Sequence, residues 1–194
     1  MQESDWESFL ERLVEQTKSA VESFAAAHPG EEVCYFAYDS EPRYGYVLTC
    51  FDTSQNSWEF VRKQLQHNTH YRRNLLDKAA WFDNAYYQAK ANALLPFCNN
   101  TGDFAYQGFT QIQFPEWGEY AESAEYPVSE DEDEDYLTNR VARLFCRATD
   151  RLVDQNVFAP LRLARPTLIG FGFHDHDQFV VNMLNAPDGA DSGS

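Results

Sequence analysis

Two runs rich in aromatic and β-branched residues, 33–39 and 44–51, dominate the hydrophobic pattern of the chain. A short polar break containing Pro42 separates them, which is typical of a β-hairpin. Both faces of each run are largely apolar, and a strand with two apolar faces is normally central and covered on both sides. The pattern therefore predicts a hairpin in the middle of a sheet that the other segments cover.

Helical spacing of apolar residues recurs elsewhere along the chain. Apolar positions three and four residues apart form one stripe per segment, and such a stripe packs against a sheet. For the segment 83–96, the high alanine content favours a helix. The segments predicted to be helical are 4–28, 55–67, 83–96 and 130–155. Ser4 with Glu7, and Ser129 with Glu132, predict capping boxes at the first and last of these helices.

Extended patterns occupy the remaining ordered segments. Residues 107–114 alternate as a strand does, and two β-rich runs at 166–173 and 178–184 predict a second hairpin. Between the strand and the last helix, proline and glycine predict a loop. The residues that predict it are Pro115, Gly118 and Pro127.

These elements predict an α+β fold in which a mainly antiparallel sheet is packed with helices in a single domain. A length of 194 residues, 43% of them hydrophobic, suits one domain with a sizeable core. We place this domain at residues 1–187. The small, polar residues 188–194 are predicted to form a flexible tail.

The charge balance narrows the class of partner. The chain has 15 Lys and Arg residues against 31 Asp and Glu residues, so its formal net charge is −16. Such an acidic chain is repelled by nucleic-acid phosphates and by anionic membranes. We therefore predict a basic protein as the partner, and neither nucleic acid nor a membrane. Acidity that only keeps the protein in solution is the alternative interpretation.

Apolar runs, the N-terminal residues and the cysteines predict the cellular compartment of the protein. It has no run of about 18 apolar residues, and its N-terminus lacks the basic start and apolar run of a signal peptide. Its cysteines are far apart and form no CxxC pair, which predicts reduced, mostly buried thiols in a cytoplasmic protein. These cysteines are Cys34, Cys50, Cys98 and Cys146.

Acidic residues are concentrated in the segment 116–135, which contains no Lys or Arg. Clustered like charge speeds association with an oppositely charged protein, and aromatic residues among the acids would supply the buried anchors of an interface. A solvated surface without a partner is the alternative. The predicted partner-binding residues are Glu116, Trp117, Glu119, Tyr120, Glu122, Glu125, Tyr126, Glu130, Asp131, Glu132, Asp133, Glu134, Asp135 and Tyr136.

The polar tip of the last hairpin is the most enzyme-like feature. It reads His174-Asp175-His176-Asp177, and imidazole and carboxylate groups are good ligands for zinc, iron or manganese. These residues are equally ordinary in turns. The chain contains no GxSxG elbow and no glycine-rich phosphate loop. A metal-dependent enzyme is therefore the alternative function, and we predict a non-enzyme without a cofactor.

The layout as a whole resembles a known family. Its N-terminal amphipathic helix runs into a Pro-Gly stop and the strand 34–38, followed later by an acidic-headed helix and a last strand pair that ends in Asn-Met-Leu-Asn-Ala-Pro at 182–187. This resembles a family of small, acidic bacterial cytosolic proteins, some of them encoded beside secreted polymorphic toxins. The resemblance implies an immunity protein that neutralises a basic toxin domain by occluding it.

Overall fold

The computed structural model of the protein describes residues 1–67 (the backbone alone for 64–67), 98, 100–123, 136–174 and 178–185. In chain order its helices and strands are α1 (Glu3–Ala27), β1 (Glu32–Glu41), β2 (Tyr46–Thr53), α2 (Ser54–His67), β3 (Tyr106–Gln113), α3 (Pro115–Ala121), α4 (Tyr136–Asp154), β4 (Arg162–Phe173) and β5 (Phe179–Leu184). Single 3₁₀ turns at Pro42–Tyr44 and Thr101–Asp103 precede β2 and β3.

The strands form one five-stranded sheet in the order β3-β2-β1-β4-β5. Three neighbouring pairs are antiparallel, and β1 pairs in parallel with β4. The prediction of an α+β fold with a mainly antiparallel sheet and packed helices is therefore confirmed. The central position predicted for the first hairpin is also confirmed, because β1 is buried along almost its whole length.

Helices α1 and α4 cover one face of the sheet with a largely aromatic core. Phe24 of α1 stacks on Phe51 of β2 at 4.2 Å between ring centroids, and Phe145 of α4 stacks on Tyr38 of β1 at 5.0 Å. The buried Tyr38 hydroxyl is 2.8 Å from that of Thr17, so its polar group is satisfied. Burying each such side chain contributes about 1.5–3 kcal/mol of stability.

A row of ion pairs joins the two helices at their exposed edge. The pairs are Glu3–Arg140, Glu7–Arg147 and Glu11–Arg151, at N–O distances of 2.6, 2.7 and 2.5 Å. Residue numbers rise together along both helices, so α1 and α4 run parallel. Exposed pairs contribute only about 0.2–1 kcal/mol each. They help to fix the register of α4 on α1 more than they stabilise the fold.

The opposite face of the sheet carries a buried polar network around Asp52. Its carboxylate accepts hydrogen bonds from the Ser57 hydroxyl, from Asn56 Nδ2 at 2.7 Å and from the Ala105 backbone N–H at 3.1 Å. The Thr53 hydroxyl accepts from the Asn56 backbone N–H, which caps α2. Because a buried carboxylate needs donors, this network fixes the start of α2 against β2.

The first helix begins earlier than its sequence suggests. It starts at Glu3, and the Gln2 backbone N–H donates to the Asp5 carboxylate at 2.7 Å. The predicted capping box of Ser4 and Glu7 is therefore wrong, since Ser4 already lies within the first turn. Acidic residues recur so often here that several capping patterns fit the sequence.

The loop predicted after the third strand is also wrong at its beginning. Residues Pro115–Ala121 form α3, and proline occupies its first turn. Proline is favourable there because the first backbone N–H groups of a helix have no partner within the helix, and its fixed φ suits that position. Gly118 lies inside α3 without ending it. A Cβ at this position would stand 3.1 Å from the Arg43 carbonyl oxygen, so glycine lets α3 pack closely on the 3₁₀ turn.

Some predicted features lie outside the described residues. They are the helix at 83–96, the capping box of Ser129 and Glu132, positions 130–135 of the last helix, and the tail at 188–194. The domain bounds 1–187 stay a prediction. Among the helices of the described ranges, none is long and apolar enough to cross a bilayer.

The four cysteines are free thiols in the structure. Cys34, Cys50 and Cys98 are buried, and Cys146 is half-buried. Burial raises the pKa of each thiol, to about 12 for Cys50, and the negative charge of Asp150 raises the pKa of Cys146 further. All four are therefore protonated and weakly nucleophilic near neutral pH.

We expect iodoacetamide to label Cys146 first in the native protein and the other three cysteines only after unfolding. The reactive species is the thiolate, and all four pKa values are raised, so labelling should be slow at pH 7 and accelerate toward pH 9. Mass spectrometry of a time course, with and without urea, measures this order. Cys146→Ser should abolish native labelling, and fast native labelling of Cys34 would contradict the burial described here.

Candidate functional site

The end of the sheet at the β1–β2 connection presents an acidic and aromatic surface. Here α3 packs on the 3₁₀ turn, and the Phe114 backbone N–H donates to the Gly45 carbonyl at 2.7 Å. Gly45 has φ +68°, and a Cβ there would stand 2.7 Å from the Phe114 carbonyl oxygen, so only glycine fits. We define the turn surface as the exposed and half-exposed residues Glu41, Arg43, Tyr44, Tyr46, Glu119, Tyr120, Glu122 and Tyr136, a set of three acids, one arginine and four tyrosines.

Tyr44 is the most exposed large side chain of the turn surface. It is 75% exposed, and its ring lies nearly parallel to that of Tyr46 with centroids 6.4 Å apart. Burial, followed by the charges of Asp39 and Glu41, raises the pKa of Tyr46. Sequence patterning placed Tyr44 in the second strand, whereas it lies in the 3₁₀ turn. Exposed aromatic rings of this kind are the side chains that most often anchor protein interfaces.

The acids of α3 differ in their availability. Arg12 of α1 holds Glu116 at 2.7 Å, and this hydrogen bond lowers the pKa of the Glu116 carboxyl. The same guanidinium lies 4.9 Å from the centroid of the Phe114 ring. Glu119 and Glu122 are exposed. Glu116 is thus engaged within the molecule, while the other two carboxylates face outward.

Trp117 is a core residue and its ring is closed to a partner in this conformation. It is fully buried, stacks on Phe114 at 4.2 Å and lies 6.2 Å from Trp6. The expectation that Trp117 anchors a partner from an exposed segment is corrected here. Because α3 is a helix, it turns Trp117 toward α1, while Glu119 and Glu122 stay exposed.

The structure brings part of the predicted binding segment together. The Tyr120 and Tyr136 rings lie 6.4 Å apart, on α3 and at the start of α4, so two predicted aromatic residues meet across a break in the described chain. Tyr136 is 38% exposed. The predicted residues outside the described ranges are Glu125, Tyr126, Glu130, Asp131, Glu132, Asp133, Glu134 and Asp135.

The histidine tip of the last hairpin is described only at its first residue. The His174 backbone N–H donates to the Ser40 carbonyl at 3.1 Å, beyond the end of β4. Asp175, His176 and Asp177 lie outside the described residues. Within the ranges that are described, no group of three or more His, Cys, Asp or Glu side chains is arranged to hold a metal ion. The metal site stays a prediction that elemental analysis of the purified protein would test.

Comparisons with family models, curated proteins and solved structures give no match to the chain, and so none that bears on this site. The resemblance to immunity proteins therefore stays a prediction, and function has to be inferred from the surface of the molecule itself.

Proposed function

We propose that this protein is a binding module that captures a basic protein partner on the turn surface. It acts by occlusion, as an immunity protein blocks a toxin domain, and it works in the cytoplasm. The observation that carries the proposal is Tyr44, which is 75% exposed on the 3₁₀ turn against which α3 packs, and two exposed carboxylates, Glu119 and Glu122, lie on or directly after that helix. Interfaces gain most of their energy from a few such aromatic anchors, surrounded by polar groups that exclude water.

Charge supplies the second part of the recognition. Glu119 lies on α3 and Glu122 directly follows its last residue, and α3 packs against the turn that carries Tyr44. The chain as a whole has a net charge of −16, which attracts a cationic protein over a distance of about one Debye length, roughly 8 Å at physiological salt. The acidic segment 125–135 follows α3 in the sequence, and in this proposal its predicted partner-binding residues contribute negative charge.

We expect Glu119→Lys/Glu122→Lys to slow association with the partner about tenfold at low salt, since rim charges act mainly on the association rate. Tyr44→Ala should raise Kd by about tenfold or more through faster dissociation, because it removes an anchor. The product of the adjacent gene is the partner to titrate. Surface plasmon resonance measures both rates, and repetition at high salt should remove the difference between wild type and the charge variant.

Two matched controls separate the turn surface from general properties of the chain. Glu22→Lys/Glu59→Lys makes the same change in net charge at exposed positions on α1 and α2. Trp58→Ala removes another exposed aromatic side chain, 49% exposed, from α2. Equal slowing by both charge variants, unchanged binding of Tyr44→Ala, or no binding of the basic gene product would each overturn the proposal.

A further inference from the structure

A cleft of about 140 Å³ opens along the exposed edge of the α1–α4 contact. It lies one helical turn beyond Tyr136 and is separate from the turn surface. Its lining residues are Glu3, Trp6, Arg140, Arg143, Leu144 and Arg147. A water molecule occupies about 30 Å³ in the liquid, so the cleft has room for a small polar group together with its hydration.

The cleft is locally basic within a strongly acidic protein. Arg140 is paired with Glu3 at 2.6 Å, and Arg147 is paired with Glu7 at 2.7 Å. Arg143 has no carboxylate partner among the described residues, although it lies between these two on α4. Three guanidinium groups thus face two carboxylates, so the positive charge of the exposed Arg143 is not balanced by a carboxylate of the described residues.

Trp6 forms an aromatic wall of the cleft. Its side chain is 3% exposed, and its indole N–H has no acceptor in the part of the chain that the structure describes. The indole N–H of Trp117 also lacks an acceptor there, but that residue does not line the cleft. The Arg140 guanidinium lies 4.9 Å from the centroid of the Trp6 ring, which places it beside the aromatic wall. The indole nitrogen itself is buried from solvent, so Trp6 contributes an apolar wall and the arginines contribute the donors.

We infer that the cleft binds a phosphate group. Arginine forks match the oxygen atoms of phosphates and carboxylates, and a phosphate near neutral pH carries more charge and more acceptor oxygens than a carboxylate. The available carboxylates, Glu3 and Glu7, already satisfy Arg140 and Arg147 and leave Arg143 over. A tetrahedral dianion can accept from Arg143 and from the free edges of the other two guanidinium groups, with the Trp6 ring as the wall of the cleft. This inference is independent of the proposed function.

Titration with inorganic phosphate tests the site, by calorimetry on the full chain at constant ionic strength. We expect saturable binding of one phosphate per chain, and Arg143→Gln should raise Kd about tenfold, as the loss of a charge-assisted hydrogen bond would do. Trp6→Phe keeps an aromatic wall and should leave binding unchanged, as Trp58→Phe should. The control Arg162→Gln removes an exposed arginine on β4 that is paired with Glu32, and it should bind phosphate like the wild type.

Three results would overturn the inference. One is the absence of saturation in the wild type, and another is equal affinity of Arg143→Gln and Arg162→Gln. The third is acetate binding as tightly as phosphate, which would assign the cleft to carboxylates. A variant with residues 130–135 changed to Asn and Gln is titrated in parallel. An affinity equal to that of the wild type supports the site. If this variant binds phosphate and the wild type does not, the acidic residues 130–135 compete for the cleft and the inference is wrong.

Discussion

Trp117→Ala is expected to lower the free energy of unfolding by about 3–5 kcal/mol, as large-to-small changes of buried aromatic residues do. The side chain is fully buried and packs on Phe114 at 4.2 Å and on Phe9 at 5.9 Å. Its removal would leave a cavity where α3, α1 and the β3–α3 connection meet. Single domains are stable by only about 5–15 kcal/mol, so this loss is a large fraction of the total.

Urea unfolding followed by circular dichroism measures the effect of Trp117→Ala. Trp58→Ala is the matched control, because Trp58 is 49% exposed and its loss leaves no cavity; it should change stability by about 0.5 kcal/mol or less. Trp117→Phe should fall between the two. A Trp117→Ala protein with wild-type stability and lost partner binding would restore Trp117 to the binding surface and contradict the packing.

Gly170→Ala is expected to destabilise the fold by an amount near the upper end of the about 1–3 kcal/mol typical of overpacked sites. A Cβ at Gly170 would stand 2.3 Å from the carbonyl oxygen of Phe179, and 3.2 Å from the Tyr35 hydroxyl. The clashing atom belongs to the backbone of β5, which pairs with β4 across a register shift between Ile169 and Gly170. The two strands must separate at this point to admit the methyl group.

Thermal unfolding and amide hydrogen exchange of β5 together measure the effect of Gly170→Ala. Exchange should accelerate in Phe179–Leu184 more than in the central strand β1. Gly30→Ala is the matched control, since a Cβ at Gly30 has no atom within 4 Å. That change should be neutral or stabilising by about 0.4–1 kcal/mol, through lower entropy of the unfolded chain. Equal stability of the two variants would contradict the close approach of β4 and β5.

Much of the fold follows from the periodic spacing of apolar residues, because the buried face of a helix or strand has apolar residues at regular intervals in the sequence. The predicted segments 4–28, 55–67 and 107–114 match α1, α2 and β3 within one or two residues. Both predicted hairpins are present as β1–β2 and β4–β5. Three of the four predicted helices can be compared with the structure, and the α+β class is confirmed.

Long-range pairing was beyond the reach of local patterns. β1 pairs in parallel with β4, and Val33 lies opposite Leu163 although 130 residues separate them in the sequence. Apolar residues on both faces of a strand predict that the strand is central. They do not predict which strand lies beside it, because strands pair through backbone groups that all residues share. The same limit hid the parallel alignment of α1 and α4.

The candidate sites divide in the same way. The sequence by itself determined the net charge, the acidic segment and the row of arginines on α4, because these are counts and spacings. Only the tertiary structure decided that Trp117 faces inward, that Tyr44 faces outward on a glycine turn, and that Arg143 lies beside Trp6 with no acid partner among the described residues. The physical reason is that exposure and pairing depend on which elements pack together, and packing joins residues that are distant in the sequence.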